Sequence, residues 1–215
     1  MEPRMQRVPW DDPVRADSNH YKLEFENEYM RVLRVSYGAR EKSVMHGHPD
    51  CVGIFLTDVH TRFKFPDGRT EDLQWKAGEV YWGFAAQHLP ENLGNQRNEM
   101  LLFELKPNSP AAKRPALRRD PVQVDADHYN LELDSERVRV LRAVYGPHEK
   151  SDMHHHPPYA AAALTDAHCR FTYPNGRTEE VLIKAGQVVW FPAMEHQPEN
   201  LSDNPFEAIL VETKD

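Results

Sequence analysis

Histidine is the residue whose placement indicates chemistry in this sequence. Six of the twelve histidines form two copies of one pattern, in which two stand at i and i+2 and a third follows 40 residues later. The six are His46, His48, His88, His154, His156 and His196. On a β-strand, residues i and i+2 point to the same face, so each pair can converge on one point. A third imidazole from a neighbouring strand would complete three nitrogen ligands for a divalent transition metal and leave coordination positions open.

The two histidine patterns belong to an internal duplication. Residues 12–106 align with residues 120–214 at a constant offset of 108 without a gap, and 48 of the 95 paired positions are identical. The duplication predicts two domains, 12–106 and 120–215, each within the usual size range of domains. Residues 107–119 are basic and proline-rich and are predicted to be a linker, and residues 1–11 an N-terminal arm. Because both copies keep the three-histidine pattern, a metal site is favoured over scattered surface histidines.

The remaining histidines are assigned to other roles. His155 stands between two predicted ligands and, by the alternation of a strand, should point away from them. His60 and His168, like His20 and His128, occupy equivalent positions in the two copies. We expect packing roles for these four, because functional histidines are the minority in proteins.

Each copy has the pattern of an all-β unit. Short stretches such as RVLRVSY and MLLFELK are rich in Val, Leu, Phe and Tyr, and no segment of helical length shows a 3.6-residue period. Pro-Asp-Gly at 66–68 and Pro-Asn-Gly at 174–176 are hairpin signals. A small all-β unit must protect its sheet edges, and closure into a barrel or jelly roll does so.

Charge and composition exclude several classes of partner. The formal net charge of −8 argues against binding to nucleic acid or to an anionic membrane surface. No apolar run approaches the ~20 residues of a membrane span. The first residues lack the apolar stretch of a secretory signal, and only two cysteines occur, so we expect a cytoplasmic protein with free thiols.

The histidine motifs resemble those of a known superfamily. Residues 38–48, which end in His-Gly-His, and residues 78–92, which end in His-Leu-Pro-Glu-Asn, are similar to the two sequence motifs of the cupins. Residues 146–156 and 186–200 repeat both motifs, so the resemblance covers nearly the whole chain and implies a bicupin. The KAGxVxW…H…PEN pattern also resembles small cupins named for β-alanine degradation.

This resemblance carries expectations for fold, metal and assembly. It implies two tandem all-β barrels, each a double-stranded β-helix or jelly roll, with a metal at one end of the barrel. The metal would be a divalent transition ion, with Fe(II) favoured and Zn, Ni, Mn or Cu as alternatives. Cupins often pair through their sheets, so a homodimer is also expected.

One departure from the cupin pattern bears on the chemistry. The common first motif supplies a glutamate ligand four or five residues after its second histidine, but those positions hold Val52 or Gly53 and Ala160 or Ala161. Three neutral imidazoles leave a divalent ion its full charge, which favours anionic, chelating ligands. Three-histidine iron sites in cupins belong to dioxygenases, so the resemblance implies an Fe(II) oxygenase acting on a small anionic molecule. A Zn or Ni lyase, isomerase or hydrolase stays open, as does a non-catalytic small-molecule-binding bicupin with a structural metal.

The second copy replaces Val-Gly-Ile-Phe at 52–55 by four alanines at 160–163. Alternate residues of a barrel strand face the interior, so we expect Ala160 and Ala162, with Trp190, to line a larger pocket in the second domain. That pocket would make the second domain the substrate site and leave the first metal site structural or secondary. The alternative is repacking, with Tyr159 or Met194 filling the space.

Two asparagines complete the candidate residues. Asn92 and Asn200 each follow the third histidine by four residues. They are expected either to close a turn or to hydrogen-bond a ligand histidine. No side chain is identified as a catalytic general base.

Overall fold

The computed structural model describes residues 10–106 and 119–214, which fall into two compact units. We refer to residues 10–106 as domain 1 and to residues 119–214 as domain 2. Of the predicted N-terminal arm only Trp10 and Asp11 are described, and of the predicted linker only Arg119. The rest of the arm and linker lies outside the described residues.

Each domain is built from one short helix and nine strands. The elements of domain 1 are α1 (Pro13–Ala16), β1 (Tyr21–Glu26), β2 (Met30–Tyr37), β3 (His46–His48), β4 (Cys51–Phe55), β5 (Val59–Lys64), β6 (Thr70–Trp75), β7 (Val80–Gly83), β8 (Ala86–Asn92) and β9 (Asn98–Leu105). Those of domain 2 are α2 (Pro121–Val124), β10 (Tyr129–Asp134), β11 (Val138–Tyr145), β12 (His154–His156), β13 (Tyr159–Ala163), β14 (Ala167–Thr172), β15 (Thr178–Ile183), β16 (Val188–Phe191), β17 (Met194–Asn200) and β18 (Phe206–Thr213).

The strands of each domain form two antiparallel sheets. In domain 1 the orders are β1-β2-β9-β4-β7 and β3-β8-β5-β6, and domain 2 repeats both orders with its own strands. Side chains from both sheets line one internal cavity in each domain, so the sheets face each other as the two layers of a jelly roll. The prediction of two all-β jelly-roll barrels from an internal duplication is confirmed.

Both predicted hairpin turns are present in the structure. Strands β5 and β6 pair from Val59 with Trp75 to Lys64 with Thr70, so the Pro-Asp-Gly segment forms the tip of a hairpin. Gly68 has φ +88° there, a conformation that side chains with a Cβ rarely adopt. Domain 2 repeats the hairpin between β14 and β15, with Gly176 at φ +81°.

The two one-turn helices are not predicted by the sequence, since four residues are too few to show a helical period. Asp12 begins α1 by accepting hydrogen bonds from the backbone N–H groups of Val14 and Arg15, and Pro13 occupies the first turn. Asp120 begins α2 by accepting a hydrogen bond from the backbone N–H of Val122, and Pro121 occupies the first turn. No helix among residues 10–106 and 119–214 is long and apolar enough to span a membrane.

Candidate metal centre

The structure brings the six predicted histidines together in two groups of three. In domain 1, β3 pairs with β8 so that His46 lies opposite His88, and His48 follows on the same face of β3. The ligand nitrogens of the three lie within 4.8 Å of one another. Domain 2 forms the same arrangement through the pairing of His154 with His196. The i, i+2 spacing thus supplies two donors from one strand, and the sheet register supplies the third.

In each group, the two histidines of the short strand make a hydrogen bond through Nδ1. These bonds orient both rings so that their Nε2 atoms point toward a common point. In domain 1, Nδ1 of His46 donates to the carbonyl oxygen of Val44 at 2.8 Å, and Nδ1 of His48 donates to a carboxylate oxygen of Glu104 at 2.6 Å. With the protons on Nδ1, both Nε2 atoms carry lone pairs, and they lie 3.0 Å apart. Two lone pairs at that distance repel, and a cation held between them removes the repulsion. The arrangement therefore fits a metal ion.

Domain 2 leaves the same nitrogens without partners. Nε2 of His154, Nε2 of His156 and both ring nitrogens of His196 are buried and make no hydrogen bond within the described residues. Buried polar atoms are normally paired, and the unpartnered nitrogens of these three converging histidines suit coordination of a cation. Nδ1 of His156 donates to Glu212 at 2.6 Å, which repeats the arrangement of His48. This donor set also fits a metal ion.

Burial keeps His46, His88, His154 and His196 neutral, as metal ligands must be. It lowers the pKa of His46 to about 4 and that of His154 to about 3, and the neighbouring imidazole adds to the effect. The pKa values of His88 and His196 lie well below the ordinary value for the same reasons. Both candidate groups in the described part of the chain consist of histidine alone, so a bound divalent ion would keep its full charge.

Sequence reasoning missed the carboxylates that support two of the ligands. Glu104 is 2% exposed and accepts from His48 while it pairs with the guanidinium of Arg31, which also binds Asp12. The signal was present in the sequence, because LLFEL places a charged residue inside an apolar strand in a position that the duplication repeats. Such a charge is buried only when it is paired.

Domain 2 contains the same chain of charges, more deeply buried. Arg139 joins Glu212 to Asp120, and Glu212 accepts from His156. Burial would raise the pKa of Glu212, but the hydrogen bond from His156 and the charge of Arg139 outweigh it, so the pKa is lowered. Glu212 is therefore an ionised acceptor that fixes the tautomer and orientation of a ligand histidine.

The other ligand of β3 is supported from the end of the helix. Ser43 donates to the carboxylate of Asp17 at 2.5 Å, and its hydroxyl lies 3.4 Å from Nδ1 of His46. Asp17 follows the last residue of α1, just as Asp12 precedes the first. The two ends of one helical turn thus reach His46 through Ser43 and His48 through Arg31 and Glu104. Domain 2 repeats both connections.

The asparagines do not support a ligand histidine, and that interpretation is wrong. The amide of Asn92 donates to the carbonyl oxygens of Gly38 at 2.8 Å and Gln96 at 2.9 Å, and its oxygen accepts from the N–H of Gly94. Asn200 makes the equivalent bonds in domain 2. Both are 0–2% exposed and tie two loops together, as in the turn interpretation.

The pocket prediction is also wrong, because the larger cavity lies in domain 1. Its volume is about 390 Å³ and it reaches His48 and His88. The corresponding cavity of domain 2 has a volume of about 60 Å³. Two exchanges account for much of this difference. Tyr159 stands where domain 1 has Cys51, and Phe191 stands where it has Gly83.

These two aromatic rings fill the space in front of the domain 2 ligands. Tyr159 stacks on Phe191 with their ring centroids 5.1 Å apart, and it lies 4.9 Å from the ring of His156. Phe171 closes the remaining side, 4.4 Å from the ring of His196. Repacking by Tyr159, the alternative open from the sequence, is therefore the arrangement observed.

The strand alternation at the four alanines runs opposite to the prediction. The cavity of domain 2 is lined by Ala161 and Ala163, and Ala160 and Ala162 are fully buried on the other face of β13. Ala160 pairs with Trp190, which for the same reason faces away from the cavity, whereas Phe191 lines it. Residue parity is fixed by the sheet register, and the sequence alone left that register open.

The sequence has no match among family models or among curated proteins. Solved structures match its fold. AerE from Microcystis aeruginosa is 14% identical, the match covers 92% of this chain and 94% of AerE, and the TM-score is 0.66. Oxalate decarboxylase from Bacillus subtilis is 13% identical, with 88% of this chain and 70% of that chain covered and a TM-score of 0.62. A single cupin domain from Bordetella pertussis Tohama I is 25% identical over 40% of this chain and 92% of its own, with a TM-score of 0.38.

The first two matches extend over both domains. At these identities the likeness concerns the fold alone. It agrees with the two jelly rolls of this chain. The chain therefore has the two-barrel fold of these proteins, with one jelly-roll barrel in each half, as its resemblance to the cupins implied.

Proposed function

We propose that the chain is a metal-dependent enzyme whose reaction centre is the histidine group of domain 1, and that it oxygenates a small anionic molecule with Fe(II). The cavity of about 390 Å³ that reaches His48 and His88 carries this proposal. Ligand pockets commonly measure about 300–1,000 Å³. Domain 2 has the same donors but only about 60 Å³ in front of them, so its metal would be structural.

The donor set supports the chemistry. When bound, a divalent ion with three neutral imidazole ligands would keep open positions and its full charge, and so supply redox or Lewis-acid chemistry to an anionic chelating group. The hydrogen bonds from Nδ1 of His46 and His48 hold both rings with Nε2 toward the site. These residues orient the centre before any substrate arrives.

The walls of the cavity determine what surrounds the reacting atoms. The ring of His88 stacks on Phe63 at 4.4 Å, and Trp75 stacks on Phe55 at 4.6 Å. These aromatic walls leave few polar groups to hold water, so electrostatic interactions inside the cavity are strengthened. Burial raises the pKa of Tyr37, whose hydroxyl donates to Tyr21 at 2.7 Å, so neither phenol is positioned as a base at neutral pH.

The proposal is tested by metal analysis after anaerobic purification, combined with O₂-uptake measurements on a panel of small carboxylic acids, enols and thiols. We expect iron near one equivalent per filled site and O₂ uptake that depends on the added compound. Tightly held zinc or nickel without O₂ uptake would instead support a lyase, isomerase or hydrolase. Manganese with release of CO₂ from an added acid and no net O₂ uptake would support a decarboxylase, as the name of the similar B. subtilis protein, which contains Mn(II) centres, suggests.

A matched pair of variants tests the assignment to domain 1. His88→Ala is expected to abolish turnover, and His196→Ala is expected to remove one metal equivalent while most turnover remains. If no compound of the panel is turned over with metal in both sites, the chain is a non-catalytic bicupin. Turnover that neither variant alters would instead contradict the placement of the reaction at a histidine group.

A further inference from the structure

The walls of the domain 1 cavity are mostly apolar. Six aromatic residues line it beyond the histidines and the tyrosine pair, namely Phe55, Phe63, Phe65, Trp75, Tyr81 and Phe84. No lysine or arginine of the described chain is among the lining residues, and the one carboxylate, Glu71, is an exposed residue. A second anionic group that lies too far from the histidines to share their metal would therefore find no cation in this cavity.

We infer that the substrate of this site has an apolar body of one or two rings, an anionic group at one end of it, and no second charged group on that body. The inference rests on the proposed function, which places the anionic group at the histidines. A charged group transferred to an apolar cavity without a partner is costly, whereas apolar surface gains about 25 cal/mol per Å² buried. The walls thus favour rings and disfavour a second charge.

The size of the cavity agrees with this class. An apolar protein cavity of about 150 Å³ accepts benzene, so about 390 Å³ accommodates a substituted ring or two fused rings. Oxalate would leave most of the volume empty. Phe84 is 77% exposed while it lines the cavity, so it lies at the mouth and presents an apolar surface to an entering ligand.

Domain 2 supplies the residues for a direct test. Tyr159, Val189 and Phe191 occupy the positions of Cys51, Tyr81 and Gly83. A Cβ at residue 83 would lie 2.8 Å from Sγ of Cys51 and 2.9 Å from a ring carbon of Tyr81, so all three must be exchanged together. The triple variant Cys51→Tyr, Tyr81→Val, Gly83→Phe fills the cavity and leaves every histidine in place.

The experiment is isothermal titration calorimetry of the full chain with acetate, benzoate, 2-naphthoate and terephthalate, at a measured metal content. We expect affinity to rise from acetate to 2-naphthoate, about tenfold from the one-ring to the two-ring acid. Terephthalate should bind more weakly than benzoate, because its second carboxylate cannot reach the metal that holds the first. The triple variant should lose at least about tenfold in affinity for 2-naphthoate with unchanged metal content. Asn98→Phe, which copies Phe206 at another lining position, gives a single-residue variant should the triple one fold poorly. Phe191→Ala in domain 2 is the control and should not weaken binding.

The outcomes separate this inference from the proposed function. Binding of 2-naphthoate that the cavity-filling variants abolish supports the substrate class even where no O₂ uptake is found. Terephthalate binding as tightly as benzoate, or 2-naphthoate binding unchanged in both filling variants, overturns the inference. In that case iron-dependent O₂ uptake with a small dicarboxylate would leave the proposed function standing.

Discussion

Domain 1 and domain 2 hold their histidines alike but place different space beside them. The ring centroids within each group are 4.8–5.2 Å and 4.8–5.3 Å apart, and each group is supported by a buried glutamate. The adjoining cavities measure about 390 Å³ and about 60 Å³. A shared donor set therefore does not imply a shared function, since a substrate needs room as well as a metal.

The charged residues that support the ligand histidines also differ in burial between the domains. Arg31 has 22% of its side chain exposed, whereas Arg139 has 9%, and the carboxylates they hold are 3% and 1% exposed. The charge network of domain 2 is thus more deeply buried than that of domain 1. This contrast suits a metal retained for stability in domain 2 and one that meets a substrate in domain 1.

The largest predicted effect concerns the ligands. His88→Ala should lower turnover by more than about 10²-fold, because loss of a ligand exceeds the 10–100-fold cost of losing its hydrogen-bond partner. His196→Ala should remove one equivalent of metal but leave turnover within about threefold of the unmodified protein, because the domain 1 site is unchanged. Metal analysis and steady-state kinetics on both variants check this. Equal loss of turnover in the two would end the proposed division between domains.

The next effect concerns the buried glutamates. Glu212→Ala leaves Arg139 without its buried partner and should destabilise domain 2 by about 3–5 kcal/mol. Glu104→Ala should cost domain 1 less, because Arg31 can turn toward water. Urea unfolding followed by domain-specific fluorescence measures both, and the matched Gln variants, which keep an acceptor, serve as controls. A larger loss of unfolding free energy in Glu104→Ala than in Glu212→Ala would contradict the conclusion that the more deeply buried pair contributes more.

Acid should destabilise the metal-free protein. The unfolded chain binds protons at histidines near pH 6.5, while folded His46 and His154 resist protonation until about pH 4 and pH 3. The unfolded state then holds more protons, so stability falls as pH drops below 6.5. His46 accounts for a loss on the order of 3 kcal/mol by pH 4, and the loss from His154 continues toward pH 3. Urea unfolding between pH 7 and 4 after chelation tests the trend, with His46→Asn as control, and a pH-independent stability would refute it.

The smallest effect concerns the first turn of each helix. Asp12→Asn keeps an acceptor for the helix N–H groups but loses the charge beside Arg31, and it should cost at most about 1 kcal/mol because Asp12 is 28% exposed. Asp120→Asn should cost more, since Asp120 and Arg139 are both 9% exposed. Thermal unfolding of both variants measures the two losses of stability. A loss in Asp12→Asn that equals or exceeds the loss in Asp120→Asn would argue against the effect of burial.

Local sequence patterns predicted most of the fold and all of the histidine groups. The hairpin at Gly68 follows from turn chemistry, and the convergence of His46 and His48 follows from strand alternation, which holds wherever the strand lies. Because of the duplication, the hairpin and the histidine pattern each occur twice in the sequence, which strengthened both predictions. The two short helices at Pro13 and Pro121 escaped notice because a single turn has no periodicity to detect.

The sequence by itself determined the duplication, the two barrels, the six histidines and the lack of a glutamate at the cupin position. Tertiary structure alone decided that Glu104 supports a ligand, that Ala161 rather than Ala160 faces the cavity, and that the open site lies in domain 1. The physical reason is that ligand spacing on one strand is a local property. Which face a strand buries, and whether a ring such as Tyr159 fills a void left by small neighbours, depends on strands far away in the chain.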